Sequence, residues 1–258
     1  MLTRRGEAAL AWLGAWGRAF RFAAGALAAA FTPALYNSAT RTVVQKQIYF
    51  TAWQILATFT AFAAVLSLVI IQISVSTARD FGLSDYALEV VIRVLVLELL
   101  PLLTALFVAL RSGAAINTEV ALMNINNEIR ALEAAGVDPM RFEFMPRVIG
   151  GTISVLALTA LASLMALVLG YVTVYGLQGS SLPDFGRVMG KVFTIPILLG
   201  LWVKCLAFGV AVTVIPIVAG LDAPQKLFFA PIAVLRGMVR LFFVLMLIEV
   251  AALALTYI

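Results

Sequence analysis

Between Lys46 and Arg79 the chain carries no charged side chain at all. An uncharged apolar run longer than the roughly 20 residues that cross a bilayer has few homes other than lipid. Four more long apolar stretches follow. Over the whole 258 residues, 63% are hydrophobic and 12% are charged, against roughly 25% charged in a soluble domain. The chain is therefore expected to be all-α and embedded in a membrane, because helices close their backbone hydrogen bonds internally.

Five spans are expected, at about 48–76, 87–110, 148–175, 195–219 and 239–257. The first is long enough to tilt or protrude. Residues 80–85 form a short loop, 111–147 and 220–236 two polar connections, and 176–184 a loop leading to a short segment at 185–193. The segment before span 1 does not cross. Arg4, Arg5, Glu7, Arg18 and Arg21 interrupt it, and at helical spacing Leu2, Trp12, Leu13, Trp16, Phe20, Leu27 and Phe31 share one arc opposite Arg4, Arg18 and Arg21. That is the pattern of a helix lying in the headgroup plane, broken at Thr32-Pro33. The chain is thus read as one domain, 1–258, with an interfacial helix and elbow at 1–45 and five spans at 46–258.

Lys and Arg placement sets the orientation. Arg4, Arg5, Arg18, Arg21, Arg41 and Lys46, then Arg111, Arg130, Arg141 and Arg147, then Lys226, Arg236 and Arg240 fall on one side. Only Arg79, Arg187 and Lys191 fall on the other. The N-terminus is expected inside and the C-terminus outside. The net charge of +5 then reflects orientation and anionic headgroups rather than nucleic acid.

Several chemistries are excluded by count. With no histidine and the single Cys205, a histidine base, a Cys/His zinc site and an internal disulfide are all out of reach. Gly186-Arg-Val-Met-Gly190-Lys191-Val192 is the nearest approach to a phosphate-binding loop. It is one residue short and has Val192 where a hydroxyl should bind magnesium. No catalytic residue and no metal site is assigned, and any energy input must come from elsewhere.

Charges within the spans are the sharper signal, at about 2.5–3.5 kcal/mol or more each in a helix centre. Glu89 and Arg93 are i,i+4 on span 2 and can pair locally. Glu98 lies on the far side of that helix from Glu89. It sits about 16 Å from the outer end at about 1.5 Å per residue; Lys204 of span 4 comes at about 14 Å, and Glu249 of span 5 about 16 Å from the inner end. Glu98, Lys204 and Glu249, with Arg93, are candidates for an intramembrane polar site handling a lipid headgroup. A helix-packing salt bridge without a ligand, a proton relay, and a stand-alone secondary transporter built on Glu98 and Lys204 are the competing readings.

The connection at 111–147 carries one further element. Over 117–135, Val120, Met123, Ile125, Ile129 and Leu132 are interspersed with Glu119, Glu128, Arg130 and Glu133. Gly136 is a helix stop, and Pro139 bars continuation. An amphipathic helix on the inner face either packs on the membrane surface or docks a soluble partner.

Here the chain resembles the MlaE family, permease subunits of ABC transporters that work with MCE proteins in lipid trafficking. The resemblance is carried by Leu110-Arg-Ser-Gly-Ala-Ala-Ile-Asn-Thr-Glu119, Leu122-Met123, Ala131-Leu132-Glu133-Ala-Ala-Gly136-Val-Asp138-Pro139 and Met145-Pro146-Arg147. Leu97-Glu98-Leu-Leu-Pro101, Lys204, Gly220-Leu-Asp222 and Glu249 add to it. It departs from the family pattern at Leu97, Leu110, Asn126-Asn127-Glu128 and Lys226-Leu-Phe-Phe-Ala-Pro231.

The resemblance implies a homodimer in the bacterial inner membrane. Lipid, phospholipid first among the classes, would occupy a cavity between the copies formed largely by spans 1, 2 and 5. It implies a cytoplasmic ABC ATPase that binds ATP and Mg, so that this chain needs no cofactor of its own. It implies a periplasmic MCE protein, and leaves room for a small cytoplasmic STAS-type subunit. The ATPase would couple through a helix at about 117–136, with Arg111, Gly113, Glu119, Glu128, Glu133, Asp138, Pro139 and Arg147 as the coupling residues.

Overall fold

The computed structural model describes residues 14, 17, 20–26, 28, 38–82, 84–177, 179–225 and 230–257. Among the described residues every regular element is helical. Among the described residues five helices are long and apolar enough to cross a membrane: span 1 (Arg41–Asp80), span 2 (Tyr86–Ile125), span 3 (Met140–Tyr175), span 4 (Ile195–Leu221) and span 5 (Pro231–Thr256). The chain is a multi-pass membrane protein. Most of the interfacial segment and Thr32-Pro33, Lys226 and 227–229 lie outside the described residues.

The spans overrun the sequence-based limits. Span 2 was expected to end near Leu110 but runs on helically to Ile125. Arg111 does not break it: the residue is exposed, and an arginine can carry its charge away from a hydrophobic helix on a long stem. The single helix expected at 117–135 is instead two helices, Ala114–Ile125 and Glu128–Ala134. The break sits at Asn127, whose φ of 59° is left-handed, a conformation that Asn tolerates better than most residues. Asn127→Gly is expected to leave the melting temperature within a degree or two. Asn127→Val should cost about 1–2 kcal/mol in thermal unfolding of the detergent-solubilised protein.

Among the described residues four π-helical segments lie within the spans: Tyr49–Trp53, Ile92–Leu99, Ala109–Gly113 and Met140–Phe144. The second has a local cause. Pro101 has no N–H to donate back along the helix. The preceding amide, Leu100, bonds the carbonyl of Leu95 five residues back, the π pattern. Just beyond, the Thr104 hydroxyl donates to the Leu100 carbonyl at 2.7 Å.

The chain divides into two compact units. The first comprises 1–49, 109–152 and 210–244. Its core gathers Ile116, Val120, Phe144, Val148, Ile217 and Val218, with Phe22 edge-on to Phe144 at 5.6 Å. Small residues let its backbones close up, as helix pairs in lipid require. Gly113 lies against the Val212 carbonyl and Gly220 against the backbone of Asn117 and Ala121. Asn124 Nδ2 donates to the carbonyls of Leu221 and Ala223 at 3.0 and 3.1 Å, satisfying acceptors that a helix end leaves open.

The second unit comprises 50–108, 153–209 and 245–258. Within it span 1 buries Ile55, Phe59, Ala63, Ser67, Ile71 and Val75, one residue in every four and hence a single stripe. Phe59 and Phe62 pack on Phe107 of span 2 at 5.3 and 6.3 Å. Several other residues of span 1 are apolar yet exposed, with Val65 and Ile73 more than 60% accessible. Such faces suit lipid or a second protein surface.

Candidate functional site

In the second unit three spans bring their charges to one point. The Lys204 ammonium pairs with the Glu98 carboxylate. It also donates to Glu249 Oε1 at 3.3 Å and lies 3.2 Å from Glu249 Oε2. The side chains of Lys204, Glu98 and Glu249 are 4%, 15% and 10% exposed. Separately each charge would be costly at this burial. Together they offset one another, with Glu249 Oε2 accepting no hydrogen bond among the described residues, and the cluster holds one more carboxylate than cation.

Glu98 reaches Lys204 from the π turn at Ile92–Leu99. A π turn advances each residue by a smaller angle than an α-helix, so the azimuth of Glu98 is set by that winding as well as by its depth. Beside the cluster is a cavity of only about 20 Å³, lined by Glu98, Lys204, Gly200 and Thr256 among others. That is room for about one water, not a headgroup. Cys205 is buried next to Lys204 in the chain.

Arg93 does not join this cluster. Its guanidinium pairs with Glu89 at 3.1 Å and donates to the Lys191 carbonyl at 3.4 Å. The i,i+4 spacing read from the sequence is thus the pair that forms.

In the first unit Arg147, 12% exposed, pairs with Glu119 at 3.2 Å and with Glu143. It joins the end of span 2 to the start of span 3. Asp138 pairs with Arg141 at 3.1 Å, and its Oδ1 accepts the Met140 amide at 3.0 Å, which fixes the turn that Pro139 opens. Glu128 accepts from Asn126 Nδ2 at 3.0 Å, within the break. Gly113 is a contact glycine: a Cβ there would lie 3.3 Å from the Val212 carbonyl. Glu133 is exposed, and no member of the short helix Glu128–Ala134 is fully buried.

Sequence reasoning missed two residues here. Glu143 precedes Arg147 by four, the same spacing that gave Glu89 and Arg93, and could have been found. Asn117 is fully buried and packs against Gly237, a contact that no local pattern announces.

The family model for permease MlaE matches residues 44–255. Over 204 residues the chain is 31% identical to a probable ABC transporter permease protein of Rickettsia conorii, covering 77% of this chain and 75% of that one. A probable ABC transporter permease protein of Rickettsia typhi is 29% identical over 200 residues, 76% of this chain and 74% of its own. The intermembrane phospholipid transport system permease protein MlaE of Haemophilus influenzae is 32% identical over 145 residues. This match spans about half of each protein, 55% of either length. Because the family match takes in the Lys204 cluster, the Arg147 cluster and nearly the whole of all five spans, the chain belongs to the MlaE permease family.

Proposed function

We propose that this chain is the membrane subunit of an ABC transporter that moves phospholipid between the bacterial inner membrane and a periplasmic MCE protein. A separate cytoplasmic ATPase hydrolyses the ATP. The carrying observation is the buried Glu98–Lys204–Glu249 cluster across three spans of a chain in this family. Intramembrane charges normally mark a substrate path or a moving element. The cluster is closed in this conformation. Its role is to hold spans 2, 4 and 5 in one state and to release them in another, as ATP hydrolysis shifts the population.

Two copies would meet through the exposed apolar faces of the spans and enclose lipid between them. The N-terminus would lie in the cytoplasm and the C-terminus in the periplasm, as the Lys and Arg distribution requires. The helices Ala114–Ile125 and Glu128–Ala134 would then face the ATPase, braced by Arg147. A STAS-type subunit would bind on the same side.

Copurification tests this. A complex drawn from membranes should contain an ATPase subunit and, by mass spectrometry, phospholipid; a complex without the ATPase would end the proposal. Charge reversal of Glu119, Glu128 and Glu133 together should cut ATPase recovery at least tenfold. Full recovery would remove the docking assignment alone. The secondary-transporter reading, which the buried cluster by itself favours, requires lipid transfer that persists in vesicles without ATP.

A further inference from the structure

A second polar cavity lies in the second unit and is lined by no described residue of span 5. Its volume is about 470 Å³, within the roughly 300–1,000 Å³ of small-ligand sites. The end of span 1, the start of span 2, the end of span 3 and the connecting helix Leu182–Val192 form its walls. Arg79, Arg187 and Lys191 line it, against one carboxylate, Asp184.

That carboxylate does not use up the positive charge. Asp184 pairs with Arg187 at 3.0 Å, but both are more than half exposed, where such a pair is weak. A guanidinium has five N–H donors, so Arg187 keeps donors for another anion. Among the described residues neither Arg79 nor Lys191 has a side-chain ion-pair partner. Asp80 adjoins Arg79 in sequence but does not line the cavity. Glu89 is occupied by Arg93, whose further bond to the Lys191 carbonyl anchors the connecting helix to span 2.

The rest of the wall is of a different kind. Val75, Ala87 and Leu88 line it and are buried. Tyr175 also lines it, within an aromatic group in which Phe185 meets Tyr171 and Tyr175 edge-on at 5.3 and 6.5 Å. Aromatic residues at the end of a span mark the water–lipid boundary. A cluster of cations above an apolar wall at that boundary matches an amphiphile with an anionic head.

We propose that this cavity binds the phosphate ester of a membrane-lipid headgroup, held by Arg79, Lys191 and Arg187, with its glycerol end against Val75 and Leu88. Arginine and lysine are the side chains that hold phosphate best. The inference deepens the lipid-transport reading and rests on it for the ligand class. It adds a headgroup site separate from the Lys204 cluster and from the cavity between copies.

The test uses the full-length chain in maltoside micelles, titrated calorimetrically with dihexanoyl phosphatidylglycerol, dihexanoylglycerol or inorganic phosphate. Phosphatidylglycerol is expected to bind and dihexanoylglycerol not to. Arg79→Gln with Lys191→Gln should weaken binding tenfold or more, while Arg79→Lys with Lys191→Arg retains it and Arg41→Gln, which is not in the cavity lining, leaves it unchanged. All three replace exposed side chains, and their melting temperatures without ligand should equal that of the parent. Unchanged affinity in the Gln double variant would overturn the site. Inorganic phosphate binding as tightly as the lipid would assign the site to free phosphate and overturn the headgroup. ATPase and lipid copurification from the same preparations reports on the transporter reading independently, so the two can fail separately.

Discussion

Replacing Lys204 with Met should abolish lipid transfer and destabilise the chain by about 3–5 kcal/mol, the typical cost of removing one partner from a buried ion pair. The magnitude follows from burial. Glu98 and Glu249 are 15% and 10% exposed, so without the ammonium two carboxylates face each other among apolar helices with little water to screen them. The triple variant Lys204→Met, Glu98→Gln, Glu249→Gln separates structure from function. It removes the orphaned charges along with the cation, so most of the thermal stability should return, because neutral replacement of a buried ionic group is often near-neutral. Transfer activity should stay lost if the cluster opens and closes during the cycle. Thermal unfolding in detergent and lipid transfer between vesicles read the two effects. A single Lys204→Met variant that melts and transports like its parent would dispose of any role for the cluster.

The second large effect is expected at Gly220, where the space for a side chain is absent. A Cβ there would fall 2.9 Å from the Ala121 amide nitrogen, the Asn117 carbonyl oxygen and the Val120 Cβ. Two of these are backbone atoms of span 2 and cannot rotate away. Gly to Ala within a helix ordinarily gains up to about 1 kcal/mol in propensity. Forcing an extra methyl into a filled interface costs about 1–3 kcal/mol, and with backbone as the obstacle the upper half of that range applies. Gly220→Ala should therefore be net destabilising and Gly220→Val should prevent recovery of folded protein. Gly186→Ala, with nothing within 4 Å of the added atom, is the matched control. Equal melting temperatures for Gly220→Ala and Gly186→Ala would show that the interface gives way.

The spans were legible in the sequence because lipid imposes a length and a polarity that no other solvent does. Their ends were less so. Span 2 passes Arg111 without a break, since one exposed charge on a long stem leaves the helical backbone undisturbed. The apolar spacing from Val120 through Ile125 to Ile129 and Leu132 suggested one continuous helix at 117–135. The signal for the break was there in Asn126-Asn127, but it concerned φ rather than hydrophobicity. Lys204 and the two glutamates stood out as charges in apolar runs, and their depths, counted along each helix, agreed. A shared polar site was expected from those depths; the direction from which Glu98 enters it was not, because that depends on winding that Pro101 alters from beyond the site. The headgroup cavity is formed by three helix ends and a connecting helix that are distant in sequence, and no local pattern gathers Arg79, Arg187 and Lys191.

The π turn of span 2 has a consequence for how Glu98 can move. A π segment accommodates a residue more per turn than an α-helix. If that surplus shifts along the span, the side chains it passes turn by about 100° while the helix ends stay where they are. Glu98 lies inside the segment, at Ile92–Leu99. A rewinding confined to this stretch, with no travel of the helix as a rod, is enough to withdraw one carboxylate from Lys204 and leave the other in place. Such a rewinding would give the span a rotary degree of freedom at Glu98, at the cost of exchanging a few backbone hydrogen bonds rather than separating packed helices.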